Sequence, residues 1–157
     1  MVHFVVNRQF RESNLEDLEV RFVHPRKSSV LAELHQIPGV EIVEPARVVG
    51  VNLIFRNIRK STALIGIPDE SQLRHVLTIQ GKAIRPDPSS LLLSRYFKKH
   101  YNLKIGDQVE IEIADKSHAP FVAAVGGFAD DLVGSSIYVQ KSDLHRWLQE
   151  EPSIDSV

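Results

Sequence analysis

Cysteine is absent from this chain, which excludes disulfides, thiol nucleophiles and thiolate metal sites but selects no cellular compartment. Long apolar runs are missing too: the longest, Phe121 to Ala129, is about half of the roughly 20 residues that a bilayer span requires. No basic-then-apolar leader follows Met1. An excess of positive charge is also lacking. The net charge of -1 argues against a dedicated nucleic-acid binder, whose affinity rests largely on neutralising phosphates. No glycine-rich stretch has the spacing of a nucleotide phosphate cradle, so no cofactor is expected.

What is present is an ordinary globular composition. The chain has 157 residues, enough for one well-buried core or two small intertwined subdomains, and 43% of them are apolar against 25% charged. Composition alone fits a stand-alone cytoplasmic ligand-binding or regulatory protein. No internal repeat or low-complexity tract is visible in the sequence.

Apolar spacing and turn residues divide the chain into elements. Val2 to Phe10 reads as an extended lead-in, and Glu19 to His24 as a strand stopped by Pro25. Ser28 or Ser29 caps a helix whose apolar positions Val30, Leu31, Leu34 and Ile37 keep helical spacing until Pro38-Gly39. Val40 to Val43 begins a strand. Arg47 to Phe55 and Ser61 to Ile67 form a hairpin around Asn57. Pro68 starts a short helix over Asp69 to Leu77, and Pro86 and Pro88 stiffen a loop from Arg85 to Ser90. Phe121 to Phe128 and Ser136 to Gln140 are strands, with a bulge at Gly126-Gly127. A closing helix runs from Lys141 or Ser142 to Glu150, its Trp147 anchored on the core, and the tail Pro152 to Val157 frays.

Within Arg85 to Ala114, the segment from Leu93-Ser94 through Gly106-Asp107 is the most informative. Ser94 is a helix N-cap, Phe97 and Tyr101 sit four apart on one face, and Lys98 and Lys99 turn toward solvent. Asn102 closes the helix because asparagine tolerates the left-handed conformation. Gly106-Asp107 then makes a turn into a strand in which Val109, Ile111 and Ile113 alternate with Gln108, Glu110 and Glu112.

Candidate chemistry reduces to bland readings with one exception. The histidines at 3, 24, 35, 75, 100, 118 and 145 are scattered with no HxH or HxxxH pair, so no metal site is expected. Ser94, His100 and Asp107 resemble a hydrolase triad by residue type, but Ser94 lies in no nucleophile elbow and no oxyanion loop adjoins it, so no catalytic residue is assigned. Asp130-Asp131 reads as a polar turn. The exception is basic: Arg56, Arg59 and Lys60 on the hairpin carry like charges without nearby acids, and form the candidate partner-binding group.

The order of these weak motifs resembles the extracytoplasmic domain of FtsX/MacB-type ABC transporter permeases. The resemblance rests on Phe22 to Pro45 (FVHPRKSSVLAELHQIPGVEIVEP), Ala63 to Gly66 (ALIG), the segment from Leu93 to Ala114, and Gly134 to Leu148 (GSSIYVQKSDLHRWL), and covers roughly residues 20 to 149. Phe97, where the family commonly has a small residue, and Asn102, where it commonly has glycine, depart from it. The resemblance implies an α+β fold of the MacB-like periplasmic core type, with an α/β subdomain from both chain ends (1–56 plus 117–150) and an inserted smaller β-rich subdomain (57–116). It implies that the chain is a piece of a membrane protein facing the periplasm or cell exterior, with Met1 added. It further implies a non-enzymatic role in coupling ATP-driven transmembrane motion to a substrate or partner protein. The partners implied are a separate ATP-binding subunit reached through transmembrane helices and a periplasmic or envelope protein, but no nucleic acid. A dimer is implied for the full transporter and a monomer for the isolated piece.

Overall fold

Period-two alternation shapes most of this fold. The computed structural model of the chain describes residues 17–78, 80–115, 118–130 and 135–157, so the lead-in Val2 to Phe10, Asp131 and Gly134 lie outside the described residues. In chain order the elements are β1 (Arg21–Lys27), α1 (Val30–Leu34), β2 (Arg47–Phe55), β3 (Ile58–Ile67), β4 (Val76–Leu77) and β5 (Ala83–Ile84). There follow β6 (Ser90–Ser94), α2 (Arg95–Tyr101), β7 (Gln108–Ile113), β8 (Phe121–Ala129), β9 (Ile137–Gln140), α3 (Lys141–Leu148) and β10 (Ser153–Ser156).

Six strands close into a barrel in the order β2-β3-β9-β6-β8-β7. Alternate residues such as Val51, Leu53, Leu64, Val109 and Ile111 point inward and are buried. The run Leu91 to Leu93 does not alternate because β6 is buried on both faces. Leu91 and Leu93 fill the interior, while Leu92 joins Ile67, Val76 and Ala129 in a second cluster outside. On β8 the register against β6 skips from Val125 to Gly127, which places the expected bulge at Gly126. A Cβ there would meet the Ser90 Oγ at 2.4 Å, so only glycine fits.

The pairings carry a two-fold pattern. Exchanging β2 with β7, β3 with β8, β6 with β9 and α2 with α3 maps the antiparallel β2·β3 onto β7·β8 and the parallel β3·β9 onto β8·β6. The antiparallel pairs β2·β7 and β6·β9 map onto themselves. The barrel is therefore a tandem β-β-β-α unit in which each third strand crosses into the other unit's sheet. Each unit's helix plugs one barrel end. α2 inserts the fully buried Phe97 at the end holding the β2–β3 tip, and α3 inserts Leu144 and Leu148 at the other, where Trp147 stacks on Phe121 at 4.7 Å.

The chain is α+β and strand-rich. Its two ends meet as β1 paired antiparallel with β10. The barrel strands lie on both sides of the 56/57 and 116/117 boundaries, which fall in the β2–β3 turn and the β7–β8 connection.

Several local expectations differ from the structure. Pro25 does not stop β1 but sits within it, where the register against β10 breaks between Arg21 and Arg26, so its missing N–H is not called upon. Ser29 does not cap α1 with its side chain. The helix proper ends at Leu34, and turns continue to Gly39, whose φ is 89°. Residues 40–45 form no strand. No helix forms over Asp69 to Leu77, because the Glu44 carboxylate accepts hydrogen bonds from the Ser71 hydroxyl (2.6 Å) and the backbone N–H groups of Gln72 and Leu73 and holds that segment as a loop. The tail is ordered, not frayed: β10 buries Ile154, and Val20 and Val157 exchange backbone hydrogen bonds.

Candidate functional site

The candidate cations Arg56, Arg59 and Lys60 share one hairpin but not one surface. Arg56 stands at the tip with φ 54°, its guanidinium 4.9 Å from the Phe55 ring centroid. Lys60 has the inward parity of Leu64 and lies at the barrel mouth, its ammonium 5.5 Å from the Tyr96 ring centroid on α2. Arg59 faces the opposite side of the pleat, where its guanidinium binds Glu112 of β7 at 2.6 Å. The expectation that the cluster has no acids nearby therefore fails for Arg59, because β7 pairs with β2 and presents Glu110 and Glu112 across the sheet. Hydrogen bonding to Glu112 raises the Arg59 pKa further above its ordinary range.

Sequence reasoning overlooked the surroundings of Lys60. The Tyr96 ring lies 4.3 Å from that of His100 and 5.8 Å from that of Tyr101, in an edge arrangement. Donation of the Tyr101 O–H to the Tyr96 hydroxyl favours the neutral phenol and raises the Tyr101 pKa above its ordinary value. Helical spacing of Tyr96, His100 and Tyr101 was legible, but the approach of Lys60 from a strand 36 residues earlier was not.

The other barrel end carries a second polar group. Arg47, at the start of β2, binds Glu150 with Nε at 2.8 Å and Asp155 of β10 with Nη1 at 2.7 Å. Asp155 also accepts the Val48 N–H, and Glu150 reaches His145 Nδ1 at 3.3 Å. These contacts tie the terminal sheet and α3 to the barrel. Burial pushes the His145 pKa down, with the Glu150 bond acting the other way. Burial acts upward on Glu150, but its bonds to Arg47 prevail and its pKa is lowered. A groove of about 310 Å³, lined by Pro25, Arg47, Val48, His118 and Leu148 among others, runs along the seam between β1 and the barrel.

The residues resembling a hydrolase triad have separate structural tasks. Ser94 is fully buried and its Oγ accepts from the Tyr96 N–H at 3.3 Å, Asp107 accepts from the Lys104 N–H at 2.8 Å, and His100 is exposed against Tyr96. Asn102 closes α2 with φ 52°, as its type suggests. Among the described residues no three His, Asp or Glu side chains converge as metal ligands, and no helix is long and apolar enough to cross a membrane.

No family model matches this sequence, and neither does any curated protein. Among solved structures, the fold is similar to the outer domains of two ABC transporters. In particular, the chain is similar to the extracellular domain of the noncanonic ABC-type transporter YknZ from Gram-positive bacteria. That match has a TM-score of 0.57 and 14% identity, and covers 84% of this chain and 71% of the other. It is also similar to the periplasmic region of MacB from Actinobacillus actinomycetemcomitans, with a TM-score of 0.50, 18% identity, and coverage of 87% of this chain and 64% of the other. The chain thus spans under two thirds of the MacB region. The fold is that of the FtsX/MacB-like extracytoplasmic domain.

Proposed function

We propose that this chain is the extracytoplasmic domain of an FtsX-like ABC transporter permease, facing the periplasm or the cell exterior, and that it performs no covalent chemistry. The fold likeness, which extends over most of the chain, carries this reading. ATP hydrolysis would take place on a separate cytoplasmic subunit, and transmembrane helices would transmit the movement outward. The barrel, plugged at both ends and closed without free edges, suits a rigid lever. The Arg47 contacts and the neighbouring groove lie where the terminal α/β sheet meets that lever, so a shear or hinge there would move the barrel tip. The hairpin bearing Arg56, Arg59 and Lys60 would then act on a substrate or partner protein.

The test reads the gene on either side of this segment. Apolar stretches of about 20 residues before Val2 and after Val157 are expected. A native start at Met1 together with a stop codon soon after Val157 would overturn the reading in favour of a stand-alone protein. Titration calorimetry of the domain with ATP and magnesium should show no saturable micromolar heat.

A further inference from the structure

Five cations without an ion pair gather at one end of this barrel; Arg26 on β1, Lys82 in the β4–β5 turn, Arg85 after β5 and Lys141 on α3 likewise have none among the described residues. Arg47, Arg59, Arg95 and Arg146 each have a carboxylate partner, in Glu150, Glu112, Asp130 and Asp143 respectively. Arg56, Lys60, Lys98, Lys99 and Lys104 have no carboxylate within ion-pair distance among the described residues. All five lie at the end formed by the β2–β3 tip, α2 and the turn that leads into β7. Asp107 and Glu110 are the carboxylates outside ion pairs at this end among the described residues, so five cations against two leave a local positive excess.

These cations do not simply hang in water. Lys60 is held over the Tyr96 ring, Lys98 over the Phe128 ring at 5.5 Å, and Arg56 over Phe55. Cation–π contact braces a long side chain while leaving its charge unneutralised, which lowers the entropy lost when a carboxylate arrives. Beside Lys104 stands Ile105, 68% exposed, on the turn whose Gly106 N–H is bonded to Val125. The same barrel end thus presents an exposed arginine at the hairpin tip, tyrosines on α2 and one projecting apolar side chain, residue types that interfaces use, alongside lysines that supply charge complementarity.

We propose that this barrel end, from Arg56 and Lys60 across Lys98 to Ile105, is a docking surface for an acidic face of a partner protein. The choice of a protein over a lipid surface rests on the reading of the chain as a permease domain. Val20 and Val157 are bonded to each other, and Ser156 pairs with Ala46 just before β2, so both strands of the terminal sheet meet the barrel at its opposite end. Membrane-spanning segments joined there would leave the charged end pointing away from their own bilayer.

The test uses the full chain with two probes, a peptide alternating Glu with Leu and phosphatidylglycerol vesicles. A tip variant (Arg56→Glu with Lys98→Glu) is compared with a control of equal charge change (Arg26→Glu with Arg85→Glu) after their urea midpoints are shown to match the parent. The parent should bind the peptide saturably, the tip variant about tenfold more weakly and with a shallower salt dependence, and the control as the parent does. Equal weakening in both variants, no difference at the tip, or no saturable binding by the parent overturns the proposal. Tip-dependent vesicle binding without peptide binding overturns it in favour of lipid. Peptide binding at the tip in a chain whose gene encodes no flanking spans would retain the docking surface and remove the permease reading.

Discussion

Asn102 and Gln149 close α2 and α3 in the left-handed conformation, with φ of 52° and 51°. For a residue with a Cβ this conformation costs roughly 1–2 kcal/mol; asparagine recovers part of it through local hydrogen bonding, and glutamine does not. Gln149→Gly should therefore stabilise the fold by about 0.5–1 kcal/mol while Asn102→Gly changes it little, as measured by urea midpoints. A loss of stability at Gln149→Gly would show that the side chain contributes more than its backbone strain costs. Gly106 has φ 92° and nothing within 4 Å of a Cβ added to it. Gly106→Val should cost about 1–3 kcal/mol from backbone strain alone, without the packing loss expected at Gly126. An unchanged midpoint would mean that the turn relaxes freely.

At the scale of elements, β2, α3 and β10 are joined by one ionisable group of residues, which makes their attachment depend on pH. His145 has a folded pKa below its ordinary value of 6.5 because burial disfavours the cation, with Glu150 opposing and Lys141 and Arg47 adding to the shift. The unfolded chain therefore takes up this proton first. His145's contribution is full above pH 6.5 and declines as pH falls from there toward the folded value. Glu150 is also lowered, from 4.5: burial acts the other way, but the Arg47 bonds prevail, so its contribution is full above 4.5 and is lost as pH falls through its folded pKa. Urea midpoints should decline in both windows. His145→Asn should flatten the upper decline and leave the lower one; a parent midpoint that rises on acidification would contradict the assignment. Arg47→Met strands Glu150 and Asp155 in a partly buried site and should cost about 2–3 kcal/mol, less than a fully buried break because water still reaches the carboxylates.

For the whole molecule, stability should be distributed unevenly. α1 has no buried residue, and Val23 of β1 is 93% exposed, whereas Leu91, Leu93 and Phe97 are fully buried in the barrel. Local opening needs little free energy where few apolar contacts are lost, so β1 and α1 should open without the barrel. Hydrogen exchange should show weak protection over residues 21–34 and protection near the global limit at Leu91 to Leu93. Uniform protection would mean that the terminal sheet folds as one unit with the barrel. Such a hierarchy suits the proposed role, in which the barrel must stay rigid while its attachment moves.

Local chemistry was enough for part of this architecture. Alternation identified the strand around Val109, because it has one buried face, and the N-cap at Ser94, the left-handed Asn102 and the Gly106 turn follow from residue type alone. The hairpin of Arg56, Arg59 and Lys60 was legible as a charged turn between two segments rich in β-branched residues. Tertiary structure decided the rest. β6 escaped notice because burial on both faces removes alternation, and β10 because the short, mostly polar segment Ser153 to Ser156 is ordered by distant partners: β1, Ala46, Arg47 and the core that takes Ile154. Barrel closure and its two-fold pattern depend on parallel pairings between segments far apart in the chain, which leave no periodic trace. The same holds at the candidate surface. Charge is a property of the residues, but whether each cation is neutralised or free was set by what folding brought beside it: Glu112 for Arg59, and the Tyr96 ring for Lys60.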